Sequence, residues 1–151
     1  MNVGNICQRK TITVDQRAEI AVAARLMRDR HVGYLVVVGN EPGTDLPRPV
    51  GVLTDRDIVV TVIAKETDPK TLRAGDVMTL NPVTVGESDS VERALQEMRH
   101  SGVRRVPVTG SRGELVGVLS LDDLLEFLAG QIQNVAGAVR NERRIEGALR
   151  P

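Results

Sequence analysis

The chain has 151 residues, of which 41% are apolar, and this size and composition suit one globular module or two small halves that share a core. Twenty Lys and Arg residues balance twenty Asp and Glu residues, so no net charge gathers nucleic acid or an anionic membrane surface. One Tyr, one Phe and no Trp leave no set of aromatic rings on which nucleic-acid bases could stack.

The N-terminal residues carry no apolar segment of the kind that directs a chain to export, and no apolar run approaches the length that spans a bilayer. We therefore expect a cytoplasmic protein with no membrane partner. Cys7 is the only cysteine, which excludes an intrachain disulfide and leaves too few thiols for a zinc site. A single cysteine does not exclude a disulfide between two copies of the chain.

Two segments, residues 20–27 and 91–98, have apolar residues at helical spacing. Each therefore predicts an amphipathic helix with one apolar stripe. Asp89 and Glu92 have the spacing of a capping box and predict the start of the second helix.

A short apolar run rich in β-branched residues follows each helix, at residues 34–38 and 106–108, and predicts a strand. Pro107 indicates an edge strand or a strand end, because proline has no N–H for a ladder. A second pair of apolar runs, residues 50–53 and 115–119, predicts one further strand in each half.

The chain is two copies of one unit. Each copy reads β-α-β-β-α, which predicts an α+β fold. The offset between copies is 71 residues in the first part of the unit and 66 in the last, because residues 40–49 form a surface loop five residues longer than its counterpart. The repeated segments are residues 4–7 and 75–78, 11–14 and 82–85, and 51–58 and 117–124.

A unit of about sixty residues is marginal by itself because it buries too little surface, so the two units should pack together. The predicted division is a first repeat at 4–66, a connector at 67–74, a second repeat at 75–130 and a C-terminal helical tail at 131–151. The tail has apolar residues at helical spacing followed by several arginines. It packs on a partner subunit, docks another protein, or is a frayed extension.

The last segment of each unit contains a hydroxyl residue followed three positions later by a carboxylate, Thr54 with Asp57 and Ser120 with Asp123. This spacing predicts a helix that begins directly after a strand, with the hydroxyl as N-cap. Free backbone N–H groups and the positive end of the helix dipole then lie beside the carboxylate. The motif has two interpretations, a helix cap alone or a site for a polyhydroxylated or anionic ligand.

No catalytic arrangement is recognisable: there is no nucleophile beside a base, no His-Glu-x-x-His and no glycine-rich phosphate loop before a helix. His31 and His100 lie near helix ends without metal-ligand spacing around them, so they are interpreted as surface residues. We expect no enzyme activity and no metal site.

At this point the sequence resembles a known family, the tandem CBS-domain (Bateman) modules, as a stand-alone bacterial-type protein. The resemblance covers about residues 4–130. It depends on the two hydroxyl-x-x-Asp motifs and on residues 76–79, 82–85, 102–108 and 115–119.

The resemblance implies a disc of two β-α-β-β-α units that binds an adenosyl ligand, AMP, ATP, NAD or S-adenosylmethionine, in clefts between the units. No cofactor is obligatory, and some members bind no known ligand. It also implies a homodimer that regulates another, unidentified protein. Independently, the apolar helix faces at 20–27, 91–98, 58–63 and 121–128 exceed what one core can bury, which also favours a dimer.

Site residues follow from the same resemblance. Asp57 and Asp123 accept hydrogen bonds from ribose hydroxyls, with Thr54 and Ser120 beside the sugar and phosphate. The residues at the edge of the base pocket are Val32, Tyr34, Val103, Arg105, Thr11, Thr13 and Thr84. The candidate phosphate partners are Arg56, Arg104 and Arg105, because guanidinium binds phosphate oxygens in pairs.

The two copies are not identical at these positions, since Gly33-Tyr34 stands where the second copy has Arg104-Arg105. Which of the two clefts is filled therefore stays open. The alternative functions are a ligand-free dimeric interaction protein, in which the motifs are only caps, and, least favoured, a nucleic-acid binder.

Overall fold

The computed structural model describes residues 1–40 and 42–150. Glu41, in the predicted loop at 40–49, and Pro151, the last residue of the predicted tail, lie outside the described residues. The loop is shorter than predicted, because the following strand already begins at Arg48.

The first repeat forms most of a four-stranded sheet with the strand order β1-β2-β3-β4, and its last strand comes from the second repeat. β1 is parallel to β2, and β2 is antiparallel to β3. One π-helical turn, Val59–Ile63, follows the last helix of the repeat. The elements of the first repeat are β1 (Thr13–Asp15), α1 (Ile20–Arg30), β2 (Tyr34–Gly39), β3 (Arg48–Thr54) and α2 (Asp55–Ile58).

The second repeat supplies a three-stranded sheet with the order β5-β6-β7 and a 29-residue last helix. This helix runs through Gly130 without a break, so the predicted helical tail continues the last helix of the repeat. The α+β fold with two β-α-β-β-α repeats is confirmed. The elements are α3 (Ala74–Val77), β4 (Thr79–Leu80), β5 (Val85–Gly86), α4 (Val91–Ser101), β6 (Arg105–Thr109), β7 (Leu115–Ser120) and α5 (Leu121–Leu149).

The leading segment of each repeat packs into the other repeat. Val3 is fully buried in the second core, and its N–H donates to the Asp89 carbonyl at 2.9 Å. Conversely, Ala74 and Val77 of α3 are buried in the first core, and β4 pairs with β3. The two cores are therefore interlocked, although the sequence assigns each leading segment to its own repeat.

The glycine that opens each repeated motif lies where the leading segment of the other repeat crosses the sheet. A Cβ on Gly117 would lie 2.6 Å from the carbonyl oxygen of Gln8, and a Cβ on Gly51 would meet the Met78 side chain. Neither approach leaves room for a side chain. The repeated glycine is thus explained by the interlock of the two halves.

We expect Gly117→Ala to destabilise the fold by about 1–3 kcal/mol, because the new methyl group forces the backbone at Gln8 away from β7. Urea denaturation measures this loss. Gly130→Ala is the matched control, since a Cβ there meets no atom within 4 Å, and alanine should raise helix stability by up to about 1 kcal/mol. An unchanged unfolding free energy for Gly117→Ala would show that the crossing is looser than the structure indicates.

Pro107 corrects one prediction, because it lies within β6, the central strand of its sheet, rather than at an edge. In the first repeat the equivalent Val36 donates its N–H to the Ile12 carbonyl at 3.4 Å. Proline has no such donor. Accordingly β5 begins at Val85 and pairs only with Val108 and Thr109, one residue later than the equivalent pairing of β1.

The predicted capping box of α4 is also wrong. Ser90 is the N-cap, and its Oγ accepts from the Arg93 N–H at 3.2 Å. The Asp89 carboxylate instead accepts from the Gly86 N–H at 2.8 Å, so it holds the preceding turn.

The apolar faces that favoured a dimer divide into two kinds. Those of α1 and α4 lie in the two cores, as Ile20 and Met98 show, so this part of the dimer argument is wrong. By contrast, Ile63 in the π-helical turn is 66% exposed, and Leu125 in α5 is 63% exposed. The faces available for association are therefore on the π-helical turn of the first repeat and on α5.

Candidate ligand-binding cleft

A cleft of about 300 Å³ lies between the two repeats, and we name it the Asp123 cleft. Six of its lining residues are among those implied by the resemblance: Thr11, Val32, Tyr34, Arg105, Ser120 and Asp123. Six others were not anticipated: Gln8, Lys10, Ile12, His31, Gly33 and Val118. The predicted residues from opposite halves of the chain are thus brought together.

Asp123 is fixed by the first turn of α5. Its carboxylate accepts from the Ser120 N–H at 2.8 Å and from the Ser120 hydroxyl at 2.6 Å, both on Oδ2, and Ser120 Oγ accepts from the Asp123 N–H at 3.1 Å. This is the capping box that the sequence predicts. The cap engages one carboxylate oxygen and holds the other, Oδ1, at the cleft.

Gln8 contacts that second oxygen, since its Nε2 donates to Asp123 Oδ1 at 2.9 Å. Gln8 reaches this place because its backbone bridges to Val118 as the leading segment crosses the second sheet. A carboxylate oxygen has a second lone pair, so Oδ1 can also accept from a ligand hydroxyl. The interlock of the repeats therefore builds part of the cleft.

The Asp123 carboxyl is ionised at neutral pH. Burial alone would raise its pKa, but the hydrogen bonds from Gln8 and Ser120, together with nearby Arg105, outweigh that effect and lower the pKa below its usual value. The group is therefore an acceptor facing the cleft, which is the chemistry needed to bind hydroxyl donors.

Tyr34 supplies the largest ring of the cleft. The guanidinium carbon of Arg105 lies 5.6 Å from the ring centroid, a cation–π contact that joins the two repeats. The Tyr34 hydroxyl is buried, with no hydrogen-bond partner within the part of the chain that the structure describes. Burial raises the pKa of this hydroxyl, against the opposing effect of Arg105, so the group is neutral.

Three basic side chains line the cleft, namely Lys10, His31 and Arg105. His31 is exposed, as predicted, and it also lines the cleft. It lies at the C-terminal cap of α1 in the left-handed conformation, with φ 55°. Because the position after a helix end depends on how the chain turns there, helical spacing gave no signal for it.

The equivalent cleft on the other side of the module is smaller, about 230 Å³. Val103 and Arg105 line it, but Thr54 and Asp57 do not. Those two residues form a capping box, in which Asp57 Oδ2 accepts from the Thr54 N–H at 2.9 Å and Thr54 Oγ1 accepts from the Asp57 N–H at 3.1 Å. The two copies of the motif are therefore alike as caps and different in their surroundings.

Four other predicted residues are not among those that line either cleft. Arg104 faces Asp122 at 4.0 Å on the surface, where such an ion pair contributes little to stability. Arg56, Thr13 and Thr84 line neither cleft.

No three His, Cys, Asp or Glu side chains are grouped to hold a metal ion among residues 1–40 and 42–150. Cys7 is half-buried, and burial raises the pKa of its thiol. Over the same residues, no helix combines the length and the apolar character needed to cross a membrane.

Comparison with protein families finds the CBS domain at residues 3–63 and 74–130, which are most of the chain. Hypoxic response protein 1 of Mycobacterium tuberculosis is 34% identical over 128 residues, covering 85% of this chain and 81% of that protein. The Methanopyrus kandleri protein MK0525 is 29% identical over 83% of this chain, and the match covers 62% of that protein's length. The chain thus spans less than two thirds of the second relative.

Solved structures share the fold. Hypoxic Response Protein I with two coordinated zinc ions has a TM-score of 0.71 at 29% identity, over 83% of this chain and 98% of that one. The CBS domain pair of MJ0100, in complex with 5′-methylthioadenosine and S-adenosyl-L-methionine, has a TM-score of 0.71 over 87% of this chain and 98% of that one, but at 23% identity this likeness shows the fold alone. A hexameric CBS-CP12 protein from bloom-forming cyanobacteria has a TM-score of 0.68 at 28% identity, over 99% of this chain and 83% of that one.

Proposed function

The chain belongs to the CBS-domain family, and from that premise we propose that its Asp123 cleft binds an adenosyl ligand carrying phosphate, of the AMP or ATP kind. The observation that carries the proposal is the ionised carboxylate of Asp123, held at a helix N-terminus and facing a cleft that both repeats line. A charged acceptor in this position suits the two hydroxyl groups of a ribose.

The adenosyl class is what the family resemblance implies, and the MJ0100 CBS pair, which shares the fold, is known in a complex with two adenosyl compounds. In this chain Tyr34 offers an aromatic ring to such a base. Apolar side chains such as Val32 and Ile12 extend the same wall. A flat heterocycle fits this combination of ring and apolar surface.

The preference for phosphate follows from the charges around the cleft. Lys10 and Arg105 are cationic at neutral pH, and Asp123 is the one carboxylate among the lining residues. A phosphate group gains from two nearby cations, whereas the sulfonium of S-adenosylmethionine does not. Among the ligands that the resemblance implies, AMP, ATP and NAD are therefore favoured over S-adenosylmethionine.

The proposal gives the chain no catalytic role and assigns it to regulation. A ligand in the Asp123 cleft contacts both repeats, so binding favours one relative arrangement of the two halves, and a second protein that contacts both halves can sense that arrangement. The identity of the regulated protein is not specified by the cleft.

The test is thermal unfolding of the full chain with AMP, ATP, NAD, S-adenosylmethionine or 5′-methylthioadenosine, each at millimolar concentration. A ligand at a hundred times its dissociation constant should stabilise the folded state by about 2.7 kcal/mol, or a rise in Tm of roughly 5 °C or more. Adenosine is the matched control for AMP, because it lacks only the phosphate. AMP should raise the melting temperature more than adenosine does, and added salt should reduce the difference between the two shifts.

If none of these compounds moves the melting temperature, the cleft does not bind an adenosyl ligand, and the ligand-free interaction protein becomes the better description. If adenosine and AMP raise the melting temperature equally, the cleft binds an adenosyl ligand, but the role of Lys10 and Arg105 as phosphate partners is wrong.

A further inference from the structure

The turn that ends α1 has the same backbone shape as the turn that ends α4. His31 follows α1 in the left-handed conformation, with φ 55° and ψ 43°, and Gly102 follows α4 with φ 66° and ψ 29°. In each repeat the residue after this one donates its N–H to a methionine carbonyl of the preceding helix, at 3.0 Å in the first repeat and 3.1 Å in the second. The two positions are therefore equivalent in structure as well as in the repeat.

Glycine is the ordinary residue for this conformation, because the left-handed region is strained for a residue with a Cβ. The second repeat has glycine there and the first repeat does not. Packing does not explain the histidine, since its side chain is exposed and, within residues 1–40 and 42–150, its imidazole has no hydrogen bond and no ion pair. A strained residue whose side chain has no structural partner points to a function, and such residues are frequent at ligand sites.

His31 lines the Asp123 cleft together with Lys10, and the equivalent residues of the second repeat are Gly102 and Asn81. Asn81 lines the smaller cleft on the other side of the module, whereas Gly102 lines neither of the two clefts. The first repeat thus carries a basic side chain at both positions, and the second repeat carries one at neither. This difference gives the Asp123 cleft two basic side chains that the smaller cleft lacks.

We propose that His31 is a specificity-determining residue of the Asp123 cleft, whose imidazole N–H donates to a phosphate oxygen of the bound nucleotide. The inference rests on the proposed function and adds one residue to it. Imidazole has an N–H donor in its neutral form and two in its charged form, so the contact does not depend on protonation. Lys10 and Arg105 supply the charge that attracts the phosphate, and His31 supplies a directed hydrogen bond. Glycine at this position would relax the turn but would remove the donor.

The test exchanges the two residues between the equivalent turns, in the variants His31→Gly and Gly102→His of the full chain. For His31→Gly we expect a ligand-free melting temperature equal to or above that of the original chain, because glycine relaxes the left-handed backbone. We expect its affinity for AMP to fall by at least about fivefold, because a hydrogen bond to a charged phosphate is lost. Its affinity for adenosine should stay within about twofold, since adenosine has no phosphate to lose that bond.

Gly102→His is the matched control. A Cβ at Gly102 meets no atom within 4 Å, so the new side chain has room, but the turn acquires the strain of a left-handed residue with a Cβ. We expect a lower melting temperature and an affinity for AMP within about twofold of that of the original chain. The two variants therefore separate a change in the helix ending from a change in the cleft.

Calorimetric titration with AMP and with adenosine, at low salt, measures the affinities, and thermal unfolding without ligand measures the stabilities. If His31→Gly binds AMP as tightly as the original chain does, this inference is overturned while nucleotide binding stands. Equal losses of affinity for AMP and adenosine would also overturn it, because His31 would then contact the nucleoside. If the original chain binds no AMP, the proposed function itself fails, and the role of His31 at the phosphate fails with it.

The control and the melting temperatures can overturn the inference independently. A loss of AMP affinity in Gly102→His as large as that in His31→Gly would assign the effect to the helix endings and not to the cleft. A lower ligand-free melting temperature in His31→Gly would show that the histidine stabilises its turn, which removes the reason to seek a function for it.

Discussion

Replacing Asp123 by Asn should weaken nucleotide binding by at least about tenfold, whereas the same change at Asp57 should leave the affinity within about twofold. The asparagine side chain keeps the shape of the cap but loses the negative charge, and a hydrogen bond to a charged acceptor contributes about 1.5–3 kcal/mol. Only Asp123 lines the open cleft between the repeats. Titration of AMP followed by the melting temperature measures both affinities.

The pair of variants separates binding from folding. Both carboxylates take part in a capping box at the third position of a helix, so each substitution should cost about 1 kcal/mol or less of ligand-free stability. Equal loss of binding from both variants would show that the second cleft is also occupied. Loss of binding from Asp57→Asn alone would place the ligand beside Asp57 and not in the Asp123 cleft.

Shortening the buried leucine at the same place in each repeat should have the largest effect on stability. Leu53 and Leu119 are both 0% exposed, one in each core, and we expect Leu→Ala at either site to cost about 3–5 kcal/mol. Leu80→Ala is the control, because its side chain is 62% exposed in β4, and its cost should stay below about 1 kcal/mol.

The shape of the unfolding curve tests the interlock. Because each repeat holds the leading segment of the other, either leucine substitution should lower one common transition rather than unfold one half first. Circular dichroism follows both halves, and the fluorescence of Tyr34, the only tyrosine, follows the contact between them. Two separated transitions in either variant would contradict the interlocked cores.

The sequence predicted the elements that depend on local pattern. Helical spacing gave α1 and α4 to within a few residues of their ends, and the capping motifs at Ser120 and Thr54 form as predicted because a cap needs only residues within one turn. Cap choice failed at Asp89, where Ser90 is one residue closer to the helix. Only Asp89 has Glu three positions later, so the capping-box rule selected Asp89, whereas the backbone turn makes Ser90 the cap.

What the sequence could not predict depends on contacts between distant segments. Gln8 reaches Asp123 only because the leading segment crosses to the other repeat, a path that no local pattern encodes. Gly51 and Gly117, at the same place in the two repeats, indicate that crossing, since a glycine in a strand often marks a close backbone approach. The two motifs have the same pattern, so the pattern gave no signal that the two clefts differ. The difference arises from the residues around each motif.

Calorimetric titration of AMP into the full chain decides whether the Asp123 cleft binds a nucleotide. We expect one bound nucleotide per chain, with binding reduced at high salt and lost or strongly weakened in the Asp123→Asn variant. Absence of heat with AMP, and with ATP and NAD in the same experiment, would contradict the claim that this CBS pair binds a phosphate-bearing adenosyl ligand at Asp123.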